Sequence, residues 1–254
     1  MNLARDTWLI FQRQITLMLR SPIWIAFALA QPITYLILFT PFLRKAMIPI
    51  GAASNADAYR IYVPGLLVVT CLFGGLFTGF GLLAEMRAGV VERCRVTPVR
   101  RSALLIGRAL RDVASLLGQC VIITVLALAF GLRVPLVNLL LAYVLLAVIA
   151  FVATALSYDL TLYVRNEGAL GNIINTVGQP VALLAGVLLP LALAPVWIQD
   201  LAKANPFSWA TYGVRALFDG RLGDPAVWQG SLIVVVLAVV TVGLSTRLFE
   251  RAVR

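Results

Sequence analysis

Six long stretches of this chain contain no Asp, Glu, Lys or Arg, and they constrain its fold more than any other feature. A helix needs roughly 20 apolar residues to cross about 30 Å of hydrocarbon, and a charge at its centre costs about 2.5 to 3.5 kcal/mol. The stretches are Ser21–Leu43, Ile61–Ala84, Val113–Leu132, Val134–Tyr158, Gly168–Gln199 and Pro225–Thr246. Each can span a bilayer, so the sequence predicts an all-α, polytopic membrane protein.

The composition agrees with this fold class, because 61% of the 254 residues are hydrophobic and only 13% are charged. We predict a single transmembrane domain over residues 1–254. Its six spanning helices are placed at 21–43, 61–84, 113–132, 134–158, 168–190 and 230–247. The third and fourth stretches meet at Arg133, which lies between Gly131 and Pro135 and therefore indicates a tight helical hairpin.

The distribution of basic residues predicts the orientation, since Lys and Arg accumulate on the cytoplasmic side. With the N-terminus inside, fourteen of the 21 basic residues lie in the cytoplasm and seven lie outside. Both termini are therefore expected in the cytoplasm. The same pattern explains the net charge of +10 without a nucleic-acid partner, because the basic residues border apolar spans.

Two segments outside the spans are expected to be helical. Residues 1–20 place Trp8, Phe11 and Ile15 opposite Arg5 and Arg13, the pattern of an amphipathic helix in the membrane interface. The external stretch 191–229 is too apolar for a solvated loop, and we predict short re-entrant helices there that dip into the outer leaflet.

The chain shows no chemistry of its own. It contains no His and no phosphate-binding sequence of the form G-x-x-x-x-G-K-[ST], and Cys71, Cys94 and Cys120 do not have the spacing of metal ligands. We expect no catalytic residue, no metal and no cofactor on this chain. Glu85, Asp112, Asp159 and Glu167 fall at predicted cytoplasmic helix ends, where solvated boundary charges are expected.

Polar residues inside the spans have two interpretations. They either join helices or line a pathway or a dimer contact, and joining is the commoner role. The candidates for a pathway or dimer contact are Gln31, Thr34, Asn172, Asn175 and Gln179. The glycines of the second span are expected to allow close helix packing, with a flexible gate as the less favoured alternative; they are Gly74, Gly75, Gly79 and Gly81.

Two motifs carry a family resemblance. The cytoplasmic stretch 85–101, EMRAGVVERCRVTPVRR, resembles the signature of ABC-2 type permeases, in which a Gly, a Glu and a Thr-Pro precede the third span. The stretch 205–217, NPFSWATYGVRAL, resembles their external motif before the sixth span, through Asn205, Pro206, Trp209 and Arg215. The order of segments is similar to that of drug-resistance permeases of the daunorubicin-exporter type, although Cys94 and Arg95 replace a common apolar pair.

The resemblance implies an exporter fold of the type V class. It implies a permease that forms a homodimer or pairs with a sister permease, and that binds two copies of a separate ATP-binding subunit, which holds ATP and Mg²⁺. The substrate would be a hydrophobic or amphipathic small molecule, and the chain would lie in the cytoplasmic membrane of a bacterium in contact with membrane lipid. A polysaccharide or lipid-linked glycan exporter and a non-transporting scaffold remain alternatives.

By the same resemblance, the segment 85–101 would couple ATP hydrolysis to transport. The residues expected to do so are Gly89, Glu92, Arg93, Arg95, Thr97, Pro98, Arg100 and Arg101. The simpler interpretation is a basic anchor that fixes orientation. Coupling is favoured over anchoring, because an anchor needs only basic residues, whereas Glu92 and the helix-capping Thr97–Pro98 pair add nothing to orientation.

Overall fold

A computed structural model describes residues 3–19, 30, 32–38, 55–89, 101–187, 191 and 194–252. The described residues form helices and no strands. In chain order the helices are α1 (Leu3–Leu19), α2 (32–38), α3 (Asn55–Arg87), α4 (Arg101–Ala129), α5 (Leu136–Val164), α6 (Glu167–Leu184), α7 (Val196–Lys203), α8 (Pro206–Phe218) and α9 (Pro225–Ala252).

Four of these helices are long and apolar enough to cross a membrane, at Tyr59–Arg87, Ile106–Ala129, Leu136–Val164 and Pro225–Gly243. They correspond to the second, third, fourth and sixth predicted spans. Most of the first predicted span lies outside the described residues. Helix α6, in the position of the fifth, has only 18 residues and carries several polar side chains. The all-helical membrane fold is therefore confirmed, and the number of six spans stays a prediction.

The predicted hairpin is present between α4 and α5. Helix α4 ends at Ala129, Gly131 adopts a left-handed φ of 101°, and Pro135 caps the start of α5. Glycine suits this turn because residues with a side chain are disfavoured at positive φ.

Helices α3 and α5 pack closely along the centre of the bundle. A Cβ atom on Gly75 would lie 2.6 Å from Cβ of Ala153, and one on Gly79 would lie 2.5 Å from Oγ of Ser157. The backbone N–H of Gly79 donates to Oγ of Ser157 at 2.9 Å, and that hydroxyl donates to the carbonyl of Leu76. The expectation that these glycines allow close packing is confirmed.

The outer surfaces of the bundle are apolar. Helices α5 and α9 leave large aliphatic side chains half or more exposed, among them Leu136, Val137, Leu140, Leu232 and Val239. An exposed apolar surface of this extent is unfavourable in water and favourable in lipid. This surface indicates that the bundle lies in a membrane.

Helix α1 packs on the first turns of α4. A Cβ on Gly107 would lie 2.9 Å from Cγ2 of Ile10 and 3.0 Å from the carbonyl of Thr7, so the two backbones approach closely there. Trp8 and Leu9 are exposed on the opposite side, 56% and 53% respectively. The N-terminal helix forms as expected, but part of its apolar side contacts α4, while Trp8 is left exposed beside Arg5.

Candidate functional site

The segment 85–101, which is predicted to be cytoplasmic, is described only at its two ends. Gly89 follows the last turn of α3 with a left-handed φ of 67°, and α4 begins at Arg101. The predictions for Glu92, Arg93, Arg95, Thr97, Pro98 and Arg100 fall outside the described residues. The two flanking helices are nevertheless joined directly by side chains.

A buried polar network joins the last turns of α3 and α5 to the first turns of α4. Arg108, whose side chain is 4% exposed, forms an ion pair with Glu85. Asp112 accepts a hydrogen bond from the hydroxyl of Tyr158 and pairs with Arg111 at 2.7 Å. Asp112 is only 6% exposed, so the expectation of a solvated boundary charge was wrong for this residue.

The other boundary acids make more exposed contacts. Glu167 pairs with Arg87 at 3.0 Å, with about half of each side chain exposed. The carboxylate of Asp159 accepts a hydrogen bond from the hydroxyl of Ser245 at 2.6 Å. The end of α3 is therefore linked to the start of α6, and the last turns of α5 and α9 are linked to each other, by polar contacts.

Helix α6 carries a polar face that the other described residues leave exposed. Asn172, Asn175, Thr176 and Gln179 are all exposed, and their spacing of three and four residues places them on one side of the helix. Asn175 donates locally to the carbonyl of Gly171 at 2.9 Å. The structure thus brings together three of the predicted pathway residues, while Thr34 is exposed on α2 and Gln31 lies outside the described residues.

A row of three aromatic rings on α3 lies beside this polar face. The ring centroids of Phe73 and Phe77 are 6.4 Å apart, those of Phe77 and Phe80 are 5.8 Å apart, and Phe77 is 43% exposed. The row abuts α6, because a Cβ on Gly171 would lie 3.5 Å from Phe80 and one on Gly178 3.5 Å from Phe73.

Sequence reasoning missed this row. The signal was present as an i, i+4, i+7 repeat of Phe in α3, but such a repeat is equally typical of a buried helix face. Only the partial exposure of Phe77 in the fold distinguishes this row from a buried helix face.

The external motif forms a compact unit around α8. The side chain of Asn205 caps α8 by accepting from the N–H of Phe207 at 3.1 Å, and Pro206 occupies the first turn. The indole Nε1 of Trp209 donates to the carbonyl of Lys203 at 2.9 Å, which closes α7 against α8. These contacts give each of the three residues a local structural role.

Arg215 extends from α8 to two other elements. Its Nε donates to the carbonyl of Ile61 at 3.3 Å, and its Nη2 donates to those of Gly186 at 2.7 Å and Val187 at 3.4 Å. Burial lowers the pKa of Arg215 to about 10, so the guanidinium stays protonated at neutral pH. Within the described part of the chain, no group of three or more His, Cys, Asp or Glu comes together as a metal site.

A model of the ABC-2 type transporter family matches residues 5–218. The chain belongs to the ABC-2 type transporter family. Its members are transport permease subunits of ABC transporters, so this chain is an integral membrane permease and the resemblance seen in the two motifs is confirmed.

The relatives share low sequence identity with this permease, but over most of its length. It is 25% identical over 217 residues to the putative transport permease ycf38 of Cyanophora paradoxa, covering 84% of this chain and 74% of that protein. It is 24% identical over 234 residues to the daunorubicin resistance ABC transporter permease protein DrrB1 of Streptomyces coeruleorubidus, covering 90% and 80%. The probable multidrug ABC transporter permease YbhR of Escherichia coli is 21% identical over 203 residues, covering 78% and 54%.

Proposed function

We propose that this permease exports a hydrophobic or amphipathic compound, such as a drug, an antibiotic or a lipid, across the cytoplasmic membrane of a bacterium. A separate ABC ATP-binding subunit, present in two copies, supplies the energy and holds ATP and Mg²⁺. A second permease copy completes the pathway, and both termini lie in the cytoplasm. The single observation that supports this proposal best is the aromatic row of α3 beside the polar face of α6.

This pair of surfaces suits an amphipathic substrate. Phe77 offers an apolar ring surface, and the amides of Asn172, Asn175 and Gln179 can both donate and accept hydrogen bonds. Such amides are unfavourable in contact with lipid tails, so in the membrane they require a covering protein surface or a polar cavity. A second permease copy facing α6 would provide either one.

The names of two relatives point to the same substrate class. DrrB1 is named for daunorubicin resistance and YbhR for multidrug transport. Both names refer to drugs. An ion pair near the ends of the segment 85–101 also favours coupling to a partner, because Glu85 and Arg108 link the two helices that this segment joins.

The experiment begins with the permease and the ATP-binding subunit that copurifies with it, reconstituted together into vesicles. ATP-driven transport of daunorubicin serves as the probe. Asn175→Leu and Phe77→Ala should each lower transport about tenfold, the effect of losing one good contact. Leu140→Ala removes an exposed side chain of α5 and is the matched control, expected to transport normally.

Each alternative predicts a different outcome. A glycan exporter of the same family would hydrolyse ATP with its partner subunit, would leave daunorubicin in place and would translocate a lipid-linked oligosaccharide. A non-transporting scaffold would copurify with no ATP-hydrolysing subunit. The permease by itself should hydrolyse no ATP, because the sequence contains no G-x-x-x-x-G-K-[ST] motif. It should elute as a dimer or larger, because the proposed pathway runs between two permeases.

A further inference from the structure

The guanidinium of Arg215 is held by backbone carbonyls from two different helical regions. Gly186 and Val187 directly follow α6, and Ile61 lies near the start of α3. A buried charge is ordinarily paired with an opposite charge. Here two of the three acceptors, Gly186 and Val187, lie just past the C-terminus of α6, close to the partial negative charge of that helix end. Arg215 thus caps the end of α6 from a different element.

A second side chain from the same motif contacts α6 nearby. The Nδ2 of Asn205 donates to the carbonyl of Val181 at 2.7 Å. Asn205 precedes α8 and Arg215 lies in its last turn, so α8 contacts the end of α6 at two points. The end of α6 needs such support, because Pro180 lacks the N–H that would continue the helical hydrogen bonding.

Helix α3 meets the same point from the other side. The carbonyl of Val187 lies so close to Gly65 that a Cβ atom there would collide with it, and the Nη2 of Arg215 would be 3.4 Å from that Cβ. The start of α3, the end of α6 and helix α8 therefore converge around one guanidinium. If the end of α6 moved away from α3, Arg215 would lose either its acceptor Ile61 on α3 or both of its acceptors after α6, Gly186 and Val187.

We propose that Arg215 is a positioning residue that holds the end of α6 against α3. It does not contact the aromatic row or the polar face, and it acts on them through the position of α6. The consequence for a substrate rests on the proposed function, because only a pathway between these surfaces would respond to their separation. The effect of Arg215 on the position of α6 can be measured without any substrate.

The test measures the distance between spin labels at Leu183 on α6 and Leu136 on α5, both well exposed, in the full-length permease. Cysteines are introduced there in a background without native cysteines, and labelled chains are diluted with unlabelled ones. Arg215→Lys keeps the charge but replaces the planar group that serves three carbonyls. Loss of charge-assisted hydrogen bonds should reduce the population of the held position about tenfold, seen as a displaced and broader distance distribution.

The control is Arg221→Lys with the same labels. Arg221 lies in the same external region and is exposed, pairing with Asp219 and Asp224 at 2.9 Å each. It should leave the distance distribution as in the parent protein. An unchanged distribution in Arg215→Lys, or an equal change in Arg221→Lys, would overturn the proposal.

A second variant covers the case in which Arg215→Lys fails to fold. Gly65→Ala leaves the guanidinium in place and pushes against the carbonyl of Val187, so it should displace α6 in the same direction. If both variants fail to fold, Arg215 is a folding requirement and the positioning role is wrong. A displaced α6 with normal daunorubicin transport would support the positioning role while contradicting the proposed pathway, so the two failures are distinguishable.

Discussion

Glu85 and Arg108 form an ion pair that connects the last turns of α3 to α4, the two helices that the segment 85–101 joins. The ion pair thus holds together the helices at the two ends of that segment. Arg108 is almost fully buried, and it also lies over the ring of Tyr158, with Cζ 5.9 Å from the ring centroid. A force applied to the segment would therefore act on α3, α4 and α5 together.

Removing the buried partner should destabilise the bundle. We expect Arg108→Gln to lower the free energy of unfolding by about 3 kcal/mol, because Glu85 and Asp112 would lose a nearby cation in a poorly solvated site. Arg87→Gln breaks the half-exposed pair with Glu167 and should lower the free energy of unfolding by less than about 1 kcal/mol. Unfolding of the purified protein in mixed detergent measures both. Equal effects would show that the Arg108 pair is no stronger than a surface pair.

The glycine contacts between α3 and α5 predict a difference between two glycine substitutions. Gly75→Ala places a Cβ 2.6 Å from Ala153 and should lower stability by about 1 to 3 kcal/mol through overpacking. Gly118 lies in α4, and a Cβ atom added there would have no other atom within 4 Å. Gly118→Ala should therefore raise stability by up to about 1 kcal/mol, because Ala favours the helix. Thermal unfolding in detergent compares the two. A Gly75→Ala protein as stable as the parent would contradict the close approach of the two helices.

The orientation can be tested by labelling with a membrane-impermeant thiol reagent. In a cysteine-free background, Asn55→Cys should react in intact cells and Glu92→Cys should not, because the basic residues place these loops on opposite sides. Glu92→Cys should react once the cells are opened, which controls for access. The reverse pattern in intact cells would invert the topology.

Coupling through the cytoplasmic segment predicts a specific effect at Glu92. Glu92→Lys keeps the loop basic and would strengthen an anchor, yet it should weaken the contact with the ATP-binding subunit by a few kcal/mol, as reversed charges at an interface do. Transport and ATP hydrolysis of the assembled complex are the measurements. Normal assembly and export by Glu92→Lys would make the coupling role of this residue wrong.

The sequence by itself determined the fold class and the family of this protein. Long uncharged stretches of this length suit helices in a bilayer, so charge spacing predicted the helical membrane fold. The hairpin at Arg133 was predicted from its neighbours Gly131 and Pro135. The motif at 205–217 was recognisable because capping residues such as Asn205 act locally, within a few positions of the chain. Interactions of this range can be read from residue order.

Only the tertiary structure decided which polar residues meet. Asp112 was expected to be solvated, but it is buried because Tyr158, 46 residues away, packs against it. Arg215 was known only as part of a motif, whereas its acceptors lie on α3 and after α6, as many as 154 residues distant. The aromatic row was indistinguishable from a core face until its neighbour α6 was in place. Burial and pairing depend on which helices are adjacent, and that arrangement follows from packing over the whole bundle, which no local pattern specifies.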